Sequence, residues 1–360
     1  MRTTLLNDKI LFLGWLTIKI IYLISKKKKA LMKLIYIRIC LICIAFFSVK
    51  NHAQGTLPIY VDYLSDNVFL VHPSAAGIGN SSKLRLTANQ QWIGVPNAPA
   101  LETISFHSKL NEESNAGYGV VLFNDKNGFH SQQGLQLAYA YHVPMSEGKI
   151  FKQLSFGLAF SFVQNQSDQR TFFGDRPNVI SQVIESTSYY NADFSAAYHR
   201  GGVSSYFTVK NLFLTAKNNL NIQEPLDLRN YILSVGYYFG QQNFVQLEPS
   251  VMVQFREGTG ERIADFNFKA YKTFAQTQIW SALSYRRNFD ANSIDNSSYL
   301  SSVIGLNHKD FMFSYTYTKQ LNKVLFKAAG FHQFSIGFNL WTFERRGAAC
   351  PNINVDFEGF

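Results

Sequence analysis

Residues 154–163 read LSFGLAFSFV, with Leu154, Phe156, Leu158, Phe160 and Phe162 at every second position and Ser155, Gly157, Ala159 and Ser161 between them. A period of two is the signature of a β-strand, whose side chains alternate between the two faces of a sheet. A strand resting on a water-soluble core shows lysine, glutamate or threonine on its second face, where long polar side chains have room. Here the second face carries only small residues, and the first is continuously apolar. Those two properties fit a sheet rolled into a tube in lipid, greasy outside and short of room inside.

The same theme repeats from residue 83 onward. Segments of about ten alternating residues are predicted over 83–92, 101–110, 116–124, 133–143, 154–163, 189–199 and 203–212. They continue over 230–240, 244–256, 262–272, 277–287, 298–308, 311–319 and 331–341. In LETISFHSKL (101–110), Ile104, Phe106 and Ser108 share one face, and Thr103, Ser105, His107 and Lys109 the other. DKNG (125–128) and RGG (200–202) supply tight turns between neighbouring segments, Asn-Gly being a strong hairpin signal. Pro249 lacks an N–H for a ladder and is expected to mark a bulge. The expectation is an all-β fold: a transmembrane antiparallel β-barrel of about 14 strands, spanning 83–343. About 9–11 residues suffice for a tilted strand to cross a bilayer, and closure removes the sheet edges that lipid cannot satisfy. Trp92, Trp280, Trp341, Tyr189, Tyr190, Tyr237 and Tyr238 fall near predicted strand ends, where aromatic girdles lie.

Charge and cysteine narrow the class further. The chain has 360 residues, of which 16% are charged, and a formal net charge of +10. Ten basic residues and one acid lie in 1–53; removing them from totals of 34 and 24 leaves 24 basic against 23 acidic residues. The excess belongs to the leader, so it argues for no nucleic-acid partner. Within that leader, Met32, Lys33 and Arg38 precede the apolar run ICLICIAFFSV (39–49), and NHAQ (51–54) offers cleavage after Ala53, as in a secretory signal peptide. Met32 reads as the true start; the alternative makes LFLGWLTIKIIYLI (11–24) with SKKKK a membrane anchor. Cys40 and Cys43 follow Ile rather than the small residue of a lipoprotein site and leave with the signal. Cys350 alone remains, which excludes an internal disulfide framework and a multi-cysteine zinc site.

Two stretches are not strand-like. Residues 54–82 include LSDNVFLVHPSAAGIGN (64–80), apolar without sustained alternation and broken by Pro73, Gly77 and Gly79. They read as a plug for the barrel or as a periplasmic contact arm. The tail ERRGAACPNINVDFEGF (344–360) reads as a periplasmic extension, with both ends of an even-stranded barrel on one side.

Taken together, NVFLVHPSAAG (67–77), NQQWIGVPNAP (89–99), GYGVVLFNDKNG (117–128), LAYAYHVPM (137–145) and FFGD (172–175) resemble the PorP/SprF family of outer-membrane proteins of the type IX secretion system and gliding motility in Bacteroidota. His72-Pro73-Ser74 departs from the family's Asn-Pro-Ala, and GFNLWTF (337–343) lies inside the chain instead of closing it. The resemblance implies a non-enzymatic barrel in the outer membrane of a Gram-negative bacterium that assists export or surface anchoring of large adhesins. Its implied partners are other type IX secretion components, the C-terminal domain of a secreted adhesin and outer-membrane lipid. The family-motif positions Asn67, Pro73, Gly77, Gln91, Trp92, Gly94, Pro96, Asn124, Asp125 and Gly128 are the candidates for partner contact, with Arg345 and Arg346 in the tail. The rival function is a diffusion channel for small or hydrophobic solutes.

The residues offer no chemistry of their own. Ser105 and His107 are the nearest serine and histidine on one strand face, but i and i+2 neighbours form no relay without an orienting acid or amide. The histidines lack His-x-x-x-His spacing, and Asp125, Asn127 and Gly128 form a turn without the acid that completes a calcium loop. GIGN (77–80) is no dinucleotide fingerprint. No metal, cofactor or catalytic residue is expected.

Overall fold

The computed structural model describes residues 62–65, 67–92, 97–146, 152–168, 184–213, 229–240, 244–257, 260–289, 298–321 and 330–343. The leader, Gly94, Pro96, FFGD (172–175), Arg345, Arg346 and Cys350 lie outside the described residues.

Fourteen strands form one closed antiparallel sheet. They are β1 (Ser81–Gln91), β2 (Ala100–Lys109), β3 (Ala116–Asn127), β4 (His130–Ser146), β5 (Lys152–Asp168), β6 (Ile184–Arg200) and β7 (Val203–Lys210). β8 (Asn230–Tyr237), β9 (Gln246–Arg256), β10 (Arg262–Phe274), β11 (Thr277–Asn288), β12 (Ser298–His308), β13 (Phe311–Gln320) and β14 (Phe331–Thr342) complete the ring. Each strand pairs with the next, and β14 closes on β1 from Ser81↔Thr342 to Gln91↔Phe331. Every predicted strand is present; β4, β5 and β6 are longer than their alternation suggested, at 17 residues each.

Alternation sorts the side chains as the opening stretch requires. Leu158 is 59% exposed on the outer face and Ala159 4% exposed on the inner one. Phe156, Phe160 and Phe162 join Leu158 outside, and Ser155 joins Ala159 inside. In a soluble protein so many exposed aromatics would be an aggregation surface. On a closed sheet they form the lipid-facing band.

Local geometry departs from the sequence reading in four places. The strand β3 runs through Asp125 and Asn127, so the hairpin pivots on Gly128-Phe129, one residue beyond the expected Asn-Gly centre. Gly128 has φ +63° while Phe129 does not have positive φ, the pattern of a type II′ turn. Pro249 makes no bulge: its ladder with β10 is continuous. The ladder with β8 stops at Gly236↔Ser250 and returns as a single bridge, Phe239↔Leu247, in unchanged register. The proline-linked irregularity is instead in β4, between Pro144 and Ser146. Trp280 is no girdle residue: it is 1% exposed inside the barrel, packed with Leu64, Tyr271 and Val303. Ser108, placed by alternation beside Phe106, is buried and shares a 2.7 Å hydrogen bond with Ser82.

Connections between strands are unequal at the two ends. At the end where β1 starts and β14 stops, 201–202, 275–276 and 309–310 are two-residue turns. At the other end lie the long connections 169–183 and 211–229, together with the two-residue β3–β4 turn 128–129.

Candidate functional site

Inside the barrel, the chain before β1 makes three short 3-10 turns, Asp62–Ser65, Val68–Leu70 and Pro73–Ala75. Proline at the first position of the third turn costs no hydrogen bond there. A buried segment of this kind needs partners for its backbone and side chains, and the inward residues of the wall provide them.

Asn67 donates through Nδ2 to Ser105 Oγ at 2.8 Å. The His72 ring bonds two strands at once, Nδ1 with Thr208 Oγ1 at 2.7 Å and Nε2 with Ser234 Oγ at 2.8 Å, and stacks on Tyr206 with centroids 4.9 Å apart. Ser74 Oγ meets Ser195 Oγ at 2.7 Å. The Gly77 N–H donates to His107 Nδ1 at 3.1 Å, and His142 Nε2 donates to the Ala76 carbonyl at 2.9 Å. Lys210 Nζ donates to the Leu70 carbonyl at 3.2 Å. Ser105 and His107 therefore each hold a different part of the segment.

The small inner residues are explained by the same contacts. A Cβ on Gly157 would overlap the backbone of Pro73 and Ser74. A Cβ on Gly117 would overlap the Ala76 carbonyl, and one on Gly119 the Phe69 ring. Gly77, at φ +72°, would place a Cβ 2.7 Å from Gly117 Cα and 2.8 Å from the Ser108 carbonyl, so two backbones touch where both residues are glycine. Phe69, Leu70, Ala75, Ala76 and Ile78 pack on Val121, Ala138, Ala140, Ala159 and Ala197. Val71 meets Ile232 and Met252.

Elsewhere the inner wall is charged, a feature the small residues of β5 did not foretell. Arg286 holds Asp265 in a buried two-pronged pair at 2.6 and 2.7 Å. Lys269 lies over Trp280 at 5.2 Å and Tyr271 at 5.5 Å, and the Tyr271 hydroxyl donates to Glu248. Arg85 reaches the carbonyls of Leu84 and Phe338 across the β1–β14 seam, in space left by Gly337. No group of three or more metal-ligating side chains exists among the described residues, and no helix among them is long and apolar enough to cross a membrane.

The family-motif residues divide between two places. Asn67, Pro73 and Gly77 belong to the interior segment. Gln91, Trp92, Asn124, Asp125 and Gly128 lie toward the opposite rim, where the Gly128 N–H donates to the Asn97 carbonyl at 3.2 Å and joins the β3–β4 turn to the β1–β2 connection. The Gln91 N–H donates to the Pro99 carbonyl at 2.9 Å, and Asn124 donates to Glu102 at 3.1 Å. Sequence reasoning missed Thr208, Ser195 and His142, since ordinary strand serines, threonines and histidines carry no signal until the segment is laid against them.

Fold and site together define an outer-membrane β-barrel whose interior holds its own N-terminal segment. The model of the family described as type IX secretion system membrane protein PorP/SprF matches residues 52–338, and the chain belongs to that family. It is accordingly a barrel of the type IX secretion system in the outer membrane of a Gram-negative bacterium. No curated protein matches it. Among solved structures it is similar to a FadL homologue of Pseudomonas aeruginosa, at 9% identity over 74% of this chain and 92% of that one, TM-score 0.45. It is similar to the toluene transporter TbuX of Ralstonia pickettii at 10% identity over 75% and 91%, TM-score 0.42. CdiB from Acinetobacter baumannii matches at 10% identity over 72% of this chain, which spans only 60% of CdiB, TM-score 0.35.

Proposed function

We propose that this barrel assists the export or surface anchoring of large adhesins by binding their C-terminal domain, without chemistry of its own, and that residues 62–80 are its plug. The carrying observation is the seating of that segment by hydrogen bonds to β2, β4, β6, β7 and β8. A tube occupied by its own chain suits a scaffold better than a solute path. Family membership supports association with other type IX secretion components. The short two-residue turns on the side of both barrel ends support a periplasmic placement of that side, with the long connections outside. Deleting the gene is expected to leave an adhesin unsecreted or shed into the medium, measured by surface immunolabelling and analysis of the culture supernatant. Normal surface display of every adhesin after deletion overturns the reading.

One observation favours the rival solute channel: the inner wall of β10 and β11 carries the charged Asp265, Lys269 and Arg286, in keeping with a polar barrel interior. Bilayer conductance separates the two.

A further inference from the structure

Across β2, β3, β4 and β5 the outer face changes from apolar to polar within one step of the alternation. Ile104, Leu122, Leu135 and Phe162 stand opposite one another in register, all exposed. The next outward row, toward the rim that carries the β3–β4 turn, is Glu102, Asn124, Gln133 and Gln164, again in register. Rows on one face of a sheet follow each other at about 7 Å, so the lipid-facing band ends here over a very short distance.

A groove of about 500 Å³ lies between the two rows and is lined by both. Its floor is the cross-strand pair Phe123↔Gly134, whose side chains alternation turns to the inner face. One wall is therefore hydrocarbon, the other polar, and the floor is backbone.

The polar wall uses its N–H groups on itself. Gln133 Nε2 donates to Asn124 Oδ1 at 3.3 Å, and Asn124 Nδ2 donates to Glu102 Oε2 at 3.1 Å. Gln164 Nε2 donates to Ser186 Oγ at 2.9 Å. Among the described residues nothing donates to Glu102 Oε1, Gln133 Oε1 or Gln164 Oε1. Glu102 makes no ion pair among them either. The cation on this part of the face, Lys126, lies one further row toward the rim, level with Ala100 and Ser131. What the groove offers is a set of acceptor oxygens, one of them on a carboxylate, beside an apolar shelf.

We infer that this groove binds a membrane lipid whose head carries a primary ammonium group. The acyl chain lies on Leu122, Leu135 and their row, and the ammonium meets Glu102 and the amide oxygens of Gln133 and Gln164. Lipid is the occupant because this face of a barrel stands in lipid. The head group follows from charge and from donor count. A phosphate head without an amine brings only oxygens and negative charge, which the carboxylate repels. A quaternary ammonium brings the charge without an N–H. A primary ammonium brings both, with three donors for the waiting oxygens. The border of the hydrocarbon lowers the effective dielectric, which enlarges these differences relative to open water. The site is on the lipid side of the wall and does not depend on what the interior carries.

The test incorporates the purified full chain into vesicles of phosphatidylethanolamine, phosphatidylglycerol and phosphatidylcholine in equal amounts with identical acyl chains. The barrel is then extracted in mild detergent, and the lipid that stays bound is identified by native mass spectrometry. One phosphatidylethanolamine per barrel is expected, favoured at least about fivefold over each of the other two, the effect of one good exposed ion pair. Glu102→Gln keeps the shape and the hydrogen bond from Asn124 and removes the charge, so this variant is expected to assemble with unchanged heat-modifiable gel mobility and to lose the preference. Leu135→Trp fills the shelf and is expected to lower retention of all three lipids together. Equal retention of the three by the natural chain overturns the inference, as does retention of none. Phosphatidylcholine held as well as phosphatidylethanolamine, or a preference that survives Glu102→Gln, overturns it too. The comparison of lipids on the natural chain needs no variant.

Discussion

His72 shows how much one side chain decides. Its two ring nitrogens tie the interior segment to β7 and β8 together. Burial first, and the nearby Lys210 charge second, lower its pKa from 6.5 to about 3. A released ring titrates near 6.5, so the released state binds the extra proton between those two values. Above pH 6.5 the seating is at full strength; it weakens progressively as pH falls toward 3. Exchange of the peptide covering 67–76, corrected for the intrinsic pH dependence of amide exchange, is expected to rise across that window, and His72→Gln to flatten the rise. Gly157 decides by having nothing. Gly157→Val forces a side chain into the backbone of Pro73 and Ser74, an overpacking cost of about 1–3 kcal/mol. The barrel is expected to assemble while residues 67–76 lose their slow exchange, because the strand itself tolerates a β-branched residue.

At the scale of the element, β5 separates its two faces by solvent. Leu158→Arg places a charge against lipid and is expected to cost about 2–4 kcal/mol near the midplane, read as a lowered urea midpoint for the barrel in vesicles. Unchanged stability would mean that the face is wrongly assigned. The alternation that predicts this outcome is fully present in LSFGLAFSFV, as is the existence of all fourteen strands. The lengths of β4, β5 and β6 were not, because beyond the apolar band the exposed positions are the polar Gln164, Gln166, Ser186 and Ser188 and the apolar period fades. Pro249 misled for a related reason. Its missing N–H falls where β8 stops pairing, so no bulge is needed.

For the whole molecule, occupancy of the interior is the property with the largest consequence. The natural barrel is expected to show little steady conductance in a planar bilayer, and a form lacking residues 62–80 to conduct openly. A large steady current through the natural barrel would favour the solute channel and its charged wall of Asp265, Lys269 and Arg286. The sequence put Asn67, Pro73, Gly77, Gln91, Trp92, Asn124, Asp125 and Gly128 forward as one group of candidates, and their division between the interior and the far rim was not legible in it. Asn67, Pro73 and Gly77 are neighbours in sequence, whereas Gly128 meets Asn97 only because β2 and β3 run out and back between them.

The sequence by itself determined a closed sheet with a lipid-facing side, because a period of two with one greasy face and one cramped face has few other solutions for a backbone that oil cannot solvate. Tertiary structure alone decided why the second face is cramped. Gly117, Gly119 and Gly157 are small because the backbone and rings of residues 69–76 occupy the space beside them. That fact joins residues tens of positions apart, and no local pattern records it.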